Sequence, residues 1–350
     1  MIKGLGYGLA GVGIVAGTLL GVAMLSKFER PPITTVQRGF RGTGMEQGQT
    51  PRNIETYLAA NVVPASLPQA SAAGPKAGVV YKNVQVLGDL SVGQFTRLMV
   101  SITQWVSPKQ GCNYCHNPAN MAWDGIYTKV VARRMIQMTQ FINAEWQPHV
   151  QQTGVVCYTC HRGNNVPNNI WFNDPGNQRT GGVVQANMGM GQGANGMINN
   201  SSLPFDPLTP FLENAYPIRQ QGVTALPAGN NHSIKETEWT YALMIHFSQS
   251  LGVNCTYCHN SRAFGDWSQS SPTRVVAWHG IRMVRQLNGE YLNPLKDTYP
   301  NYRLGKVGDA PKVACATCHQ GVFKPLYGVS MLKNFPELSK PGPQKTALAD

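Results

Sequence analysis

The chain has 350 residues, a formal net charge of +12, 42% hydrophobic and 13% charged residues, 37 Gly and 24 Pro. This apolar content excludes a disordered chain, and the length suits two domains of ordinary size. A basic chain often binds nucleic acid, but no recognition motif for it is present; the abundance of Gly and Pro predicts a mainly α chain with extensive loops.

Residues 1–26 read as an N-terminal transmembrane anchor. No charged side chain occurs between Gly4 and Ser26, and the 22 residues from Gly4 to Leu25 make a helix of about 33 Å, enough to cross a bilayer. A cleaved signal peptide is the rival reading; no A-x-A site follows the apolar run, and no cysteine stands ready for lipidation. Lys27, Phe28, Glu29, Arg30, Pro31 and Pro32 read as the exit of that helix. Gly13, Gly17 and Gly21, with Gly4 and Gly8, recur every four residues, a spacing that lets a partner helix approach closely. Residues 27–80, rich in Pro, Gly, Gln and Ala, are expected as extended chain.

Residues 81–165 form the first of two similar stretches. A helix is predicted over 93–105, then Cys112, Cys115 and His116, a second helix over 127–143, then Cys157, Cys160 and His161. Residues 166–235 are a connector whose 181–200 portion holds six Gly and four Asn, a loop composition. Met188, Met190 and Met197 in that loop support a copper site only weakly. Residues 236–335 repeat the first pattern, with a helix over 237–250, then Cys255, Cys258 and His259, and finally Cys315, Cys318 and His319. Residues 336–350 form a C-terminal tail expected to fray from Lys340.

Four C-x-x-C-H motifs therefore consume all eight cysteines and leave none for a disulfide. This motif is the attachment signature of c-type haem: two thiols form thioethers with the porphyrin vinyl groups, and the adjacent His sits beneath the ring as the proximal iron ligand. A zinc reading needs compact groupings of four cysteines, or of two cysteines with two histidines. Separations of 45 residues between Cys112 and Cys157, and 60 between Cys255 and Cys315, do not provide them.

The second axial ligand separates a carrier from an enzyme, because a haem with one open face can bind a small molecule. Leu98-Met99-Val100-Ser101-Ile102-Thr103-Gln104 matches Leu243-Met244-Ile245-His246-Phe247-Ser248-Gln249, and Lys129-Val130-Val131-Ala132 matches Arg274-Val275-Val276-Ala277. Two pseudo-symmetric halves, each helix, C-x-x-C-H, helix, C-x-x-C-H, follow from that repeat. Met99 and Met244 occupy equivalent places and are predicted ligands. Met135 or Met138 serves the second motif. Met135 aligns with Gly280, so the repeat breaks there, and the fourth motif must find its ligand among His149, His279, Met283, His246 and His232.

The four motifs, the repeat and the stretch Val36-Gln37-Arg38-Gly39-Phe40-Arg41-Gly42-Thr43-Gly44-Met45 together resemble the tetrahaem cytochrome subunit of photosynthetic reaction centres, over roughly residues 35–335. The resemblance implies a multihaem cytochrome c fold with four covalently bound haem c groups. It also implies methionine ligands at Met99, Met135 and Met244, and a distal His149 that crosses to the fourth haem. Its implied partners are the reaction-centre membrane subunits and a soluble periplasmic donor: a small c-type cytochrome, a high-potential iron–sulfur protein or a blue-copper protein. The implied activity is non-enzymatic electron relay to a photo-oxidised bacteriochlorophyll pair. A membrane-anchored multihaem conduit, or a multihaem reductase unrelated to photosynthesis, is the alternative. Family members often carry a lipidated Cys instead of a membrane helix, and this chain departs from them there.

Counting Lys3 before the span against Lys27, Arg30, Arg38 and Arg41 after it would place the body inside the cell. Covalent haem attachment takes place outside the bacterial cytoplasm, so the expected location is the plasma membrane with the body on the periplasmic side. Four haems, each with two propionates, remove about 4 to 8 units from the +12 charge. The basic surface that remains favours an acidic donor and anionic lipid.

Overall fold

A computed structural model describes residues 2–26, 34–39, 42–174, 203–204, 206–218 and 234–339. The expectations for His232 and for Met188, Met190 and Met197 fall outside these residues, as does the tail from Lys340. The described chain is mainly helical. Its helices are α1 (Ile2–Leu25), α2 (Pro51–Ala60), α3 (Ala77–Val80), α4 (Val92–Val106), α5 (Tyr127–Glu145), α6 (Gln147–Val150), α7 (Cys157–His161), α8 (Ile234–Leu251), α9 (Thr273–Gln286) and α10 (Cys315–His319). Strands β1 (Thr34–Arg38) and β2 (Met45–Gln49) pair antiparallel with Thr34 opposite Gln49 and Arg38 opposite Met45.

Each predicted helix is present and slightly longer than its apolar pattern, because caps lie outside the periodic residues. In α4 the Ser91 hydroxyl accepts from the Gln94 amide at 3.1 Å, while the Gln94 side chain accepts from the Ser91 amide at 3.3 Å. Leu98, Ser101 and Trp105 then fall on one buried face. The β1–β2 hairpin was not expected within 27–80. It lies against the third motif: the Met45 amide donates to Thr256 Oγ1 at 3.0 Å, Asn254 Nδ2 donates to the Met45 carbonyl at 2.9 Å, and the Ser261 amide donates to the Thr43 carbonyl at 3.0 Å.

Two apolar clusters hold the body together, and each joins residues far apart in sequence. One sets Leu98, Trp105, Ile136 and Val156 against Leu326, Met331, Phe335 and Leu338. The other sets Ile142 and Trp171 against Phe211, Leu243, Ile281 and Leu287. Burying a leucine the size of Leu98 or Leu338 contributes roughly 2 kcal/mol. Phe335 and Leu338, at the border of the expected tail, are fully buried, and Asn143 Nδ2 donates to the Leu338 carbonyl at 2.8 Å. Residues 331–338 are thus part of the packing around the first pair of motifs.

Among the residues whose side chains are described, no helix is long and apolar enough to cross a membrane; in α1 those residues begin only at Gly11. The described side chains of α1 are exposed along its length, Val12, Ile14, Leu19 and Leu25 among them.

Candidate haem sites

The four motifs adopt two local shapes. Cys112 and Cys255 lie in 3-10 turns, Gly111–Tyr114 and Cys255–Tyr257, whereas the other two motifs are the single-turn helices α7 and α10. Both single turns are tied by a threonine: the Val156 amide donates to Thr159 Oγ1 at 3.0 Å and the Ala314 amide to Thr317 Oγ1 at 2.9 Å. Both end on a left-handed residue, Arg162 and Gln320. Both 3-10 motifs receive a hydroxyl from the start of the next helix, Thr128 onto the Tyr114 carbonyl and Thr273 onto the Tyr257 carbonyl.

Each proximal imidazole meets a backbone carbonyl through Nδ1, and because a carbonyl only accepts, Nδ1 carries the proton. His116 meets Met121 O at 3.1 Å, His161 meets Asn164 O at 2.9 Å, His259 meets Phe264 O at 2.8 Å and His319 meets Val322 O at 3.0 Å. The partner lies five residues on for His116 and His259, and three residues on for His161 and His319. In every case Nε2 is left as the free lone pair, the orientation an iron ligand needs. Basic side chains brace the two longer loops. Lys129 Nζ donates to Met121 O at 2.9 Å and Trp123 O at 3.0 Å, and its repeat partner Arg274 donates to Asp266 O at 3.0 Å. Asp124 holds Lys129 at 3.0 Å and Arg133 at 2.9 Å, and the Arg133 hydrogen bonds keep the Asp124 carboxyl well below the usual carboxylate range.

One continuous cavity of about 2460 Å³ runs through the body. All eight motif cysteines line it, as do the four proximal histidines and Met99, Met135, Met244 and His149. A pocket for one drug-sized ligand holds roughly 300–1,000 Å³, so this volume suits several large groups. Met138 and Met283 also line the cavity, whereas His246, though fully buried, and His279 do not.

His149 belongs to α6, directly after Pro148, and reaches across to α9. Its Nδ1 meets the Val276 carbonyl at 2.9 Å, and its ring centroid lies 6.1 Å from that of His319. Two imidazoles on opposite faces of one iron, with metal–nitrogen bonds of about 2 Å, place their centroids about 6 Å apart. Gly280 makes the crossing possible: a Cβ there would stand 2.6 Å from His149 Cε1. The break in the sequence repeat, methionine at 135 against glycine at 280, marks the slot that the incoming imidazole fills. Gly280, the carbonyl partners and the loop braces escaped the sequence reading; the Met135–Gly280 mismatch was the available signal for the first.

The profile of the photosynthetic reaction centre cytochrome C subunit family matches residues 29–339. The chain belongs to this family. It is 52% identical over 326 residues to the photosynthetic reaction center cytochrome c subunit of Thermochromatium tepidum, covering 93% of this chain and 80% of that protein. The subunit of the same name from Rubrivivax gelatinosus is 50% identical over 327 residues, covering 93% and 88%. That of Roseobacter denitrificans is 41% identical over 350 residues, covering 94% and 92%. As a cytochrome c of this family, the chain carries covalently bound haem, and the carbonyl-anchored histidines fit that group.

The thiols that a reaction-centre cytochrome must commit to thioethers are kept protonated by burial, which pushes Cys157 up to about 11 and Cys315 up to about 12. Burial, with the neighbouring His149 second, pushes His319 down to about 4, so this imidazole is neutral at physiological pH and its Nε2 is free to ligate. The second cysteines of the second and fourth motifs, Cys160 and Cys318, lie side by side with Cα atoms 4.4 Å apart. The cause is the side-by-side packing of α7 and α10, which brings the second cysteines of two motifs face to face. Their neighbours exchange bonds reciprocally: Arg162 donates to the Cys318 carbonyl at 3.2 Å and Gln320 to the Cys160 carbonyl at 3.3 Å.

Proposed function

We propose that this chain is a tetrahaem c-type cytochrome that relays electrons from a soluble periplasmic donor to the photo-oxidised bacteriochlorophyll pair of a photosynthetic reaction centre, without enzymatic activity of its own. The observation that carries this reading is the cavity lined by every motif cysteine, every proximal histidine and Met99, Met135, Met244 and His149. When bound, each haem supplies a one-electron ferric–ferrous couple. In this reading His116 with Met99, His161 with Met135, His259 with Met244, and His319 with His149 would hold the four irons. A thioether opposite imidazole favours ferrous iron more than a second imidazole does, so the His149–His319 site is the one biased to lower potential.

The body is read as two haem-bearing halves related by a local two-fold through the α7–α10 contact. In support, the Gly163 amide donates to the Trp105 carbonyl at 2.8 Å and, at the equivalent place, Gly321 donates to Ser250 at 2.9 Å. The motifs are then ordered first, second, fourth, third. Cys112 at one end is exposed, which suits contact with the soluble donor. At the other end the hairpin seats on the third motif, and no more than about 28 Å of chain separates Ser26 from Thr34. That tether keeps the third motif near the membrane if α1 is the anchor. As a 24-residue helix α1 is about 36 Å long, and its uncovered apolar side chains call for lipid or partner helices.

Flash illumination of isolated membranes tests the relay. Haem oxidation should follow the flash, with four haems per chain and no carbon monoxide binding to the reduced protein. Haems indifferent to the flash sink the relay, and carbon monoxide binding would instead favour a multihaem reductase.

A further inference from the structure

Lys312 is fully buried, as completely as Phe335 and Leu98. Its ammonium lies 2.5 Å from Asp309 Oδ2, 3.3 Å from the Ala310 carbonyl and 3.9 Å from Glu213 Oε1, and 5.2 Å from the centre of the Trp171 ring. The backbone around it is pinned. Lys312 and Trp171 exchange amide–carbonyl bonds at 2.9 and 3.0 Å, and Trp171 Nε1 and Asn288 Nδ2 both donate to the Val313 carbonyl at 3.0 Å. Asp309 Oδ2 also accepts from the Asn173 amide at 2.8 Å, and Glu213 Oε1 from Asn293 Nδ2 at 3.0 Å.

Two oxygens in this group, Asp309 Oδ1 and Glu213 Oε2, are buried without a hydrogen-bond partner. The cluster holds one cation and two carboxylates, a net charge of −1, with the lysine fully buried and the Asp309 and Glu213 side chains 14% and 19% exposed. Stability does not call for it, since apolar residues of similar volume commonly hold such a site as well or better. Lys312 lines the same cavity as Cys315, Cys318 and His319, three residues before Cys315.

We infer that Lys312, with Asp309 and Glu213, forms an electrostatic tuning cluster that sets the reduction potential of the haem attached at Cys315 and Cys318. The inference rests on the four-haem reading above. Ferric haem carries one more positive charge than ferrous haem, so a buried net negative charge nearby favours the ferric form and lowers the potential. Lys312 limits that lowering, and the carboxylates set its floor. Lys312 acts as a positioning and charge-balancing residue and touches no iron.

The test is redox titration of the holoprotein, following the bis-imidazole haem by electron paramagnetic resonance, with the other haems as internal controls. Lys312→Met should lower that haem's potential and Asp309→Asn should raise it. The double variant, which restores the net charge, should return it close to the wild-type value. A packing fault would not alternate in sign in this way. An unmoved potential, or a shift in the same direction for both single variants, overturns the inference. If Lys312→Met does not fold, Asp309→Asn and the double variant decide between the same two outcomes. A wild-type sample with fewer than four haems, or without a bis-imidazole signal, would instead defeat the four-haem reading itself.

Discussion

Gly280 occupies the place that Met135 holds in the first repeat, and its missing side chain admits His149 from α6. An alanine in mid-helix is ordinarily worth up to about 1 kcal/mol over glycine. Here the added methyl would meet His149 Cε1 at 2.6 Å, an overlap that costs roughly 1–3 kcal/mol unless the imidazole moves. Gly280→Ala should therefore lower stability despite the helix gain, and it should perturb the bis-imidazole signal while leaving the methionine-ligated haems unchanged. Thermal unfolding and electron paramagnetic resonance of the holoprotein check this; an intact His149 signal with raised stability would refute it. The motif cysteines and histidines stood out in the sequence because C-x-x-C-H leaves little choice of chemistry, and all of them line the cavity. The repeat singled out Met99 and Met244, which line it too. The placement of His149 beside His319 was not legible there, since its contact spans 127 residues to the Val276 carbonyl and depends on the side chain that Gly280 lacks. Met135 and Met138 both line the cavity, so geometry alone leaves that pair as the sequence reading did.

The helices that carry the ligands are set by local signals, and these can be broken one at a time. Ser91 closes the N-terminus of α4 with Gln94 and also donates to the Ser71 carbonyl at 2.6 Å. Alanine at this place removes both bonds in a buried setting, a loss of about 1–2 kcal/mol. Ser91→Ala should lower the unfolding free energy in urea by that amount and loosen Met99 two turns on, visible as weakened thioether ligation of one haem. Unchanged stability would mean that the box is ornamental to α4. Apolar spacing predicted α4, α5 and α8 to within a few residues at either end. It missed the hairpin, because Thr34–Arg38 and Met45–Gln49 have weak alternation and owe their order to the third motif beneath them. Nor did spacing show that two motifs would be 3-10 turns and two α-turns. That difference arises immediately after each motif's histidine, where the chain makes either a five-residue loop braced by Lys129 or Arg274, or a left-handed turn at Arg162 or Gln320.

For the whole molecule, charge sets how a partner arrives. The polypeptide carries +12, and the four haems proposed above, with their propionates, would bring this down to about +4 to +8 and leave the holoprotein basic in either redox state. A net charge of that sign raises the encounter rate with an acidic partner, and the effect weakens as the Debye length falls from about 30 Å at 0.01 M salt to about 10 Å at 0.1 M. Under the proposed relay, the exposed Cys112 of the first motif gives this attraction a destination. The rate of haem re-reduction by an acidic donor should therefore fall as salt is added, at fixed donor concentration and below saturation. The fall should be steepest at low ionic strength, where unscreened charges still act beyond contact distance. A basic donor should show the opposite slope, which separates steering by charge from a general effect of salt on the protein. A rate with an acidic donor that rose with salt would mean that the surface around Cys112 is locally acidic, and that net charge is a poor guide to where the donor docks.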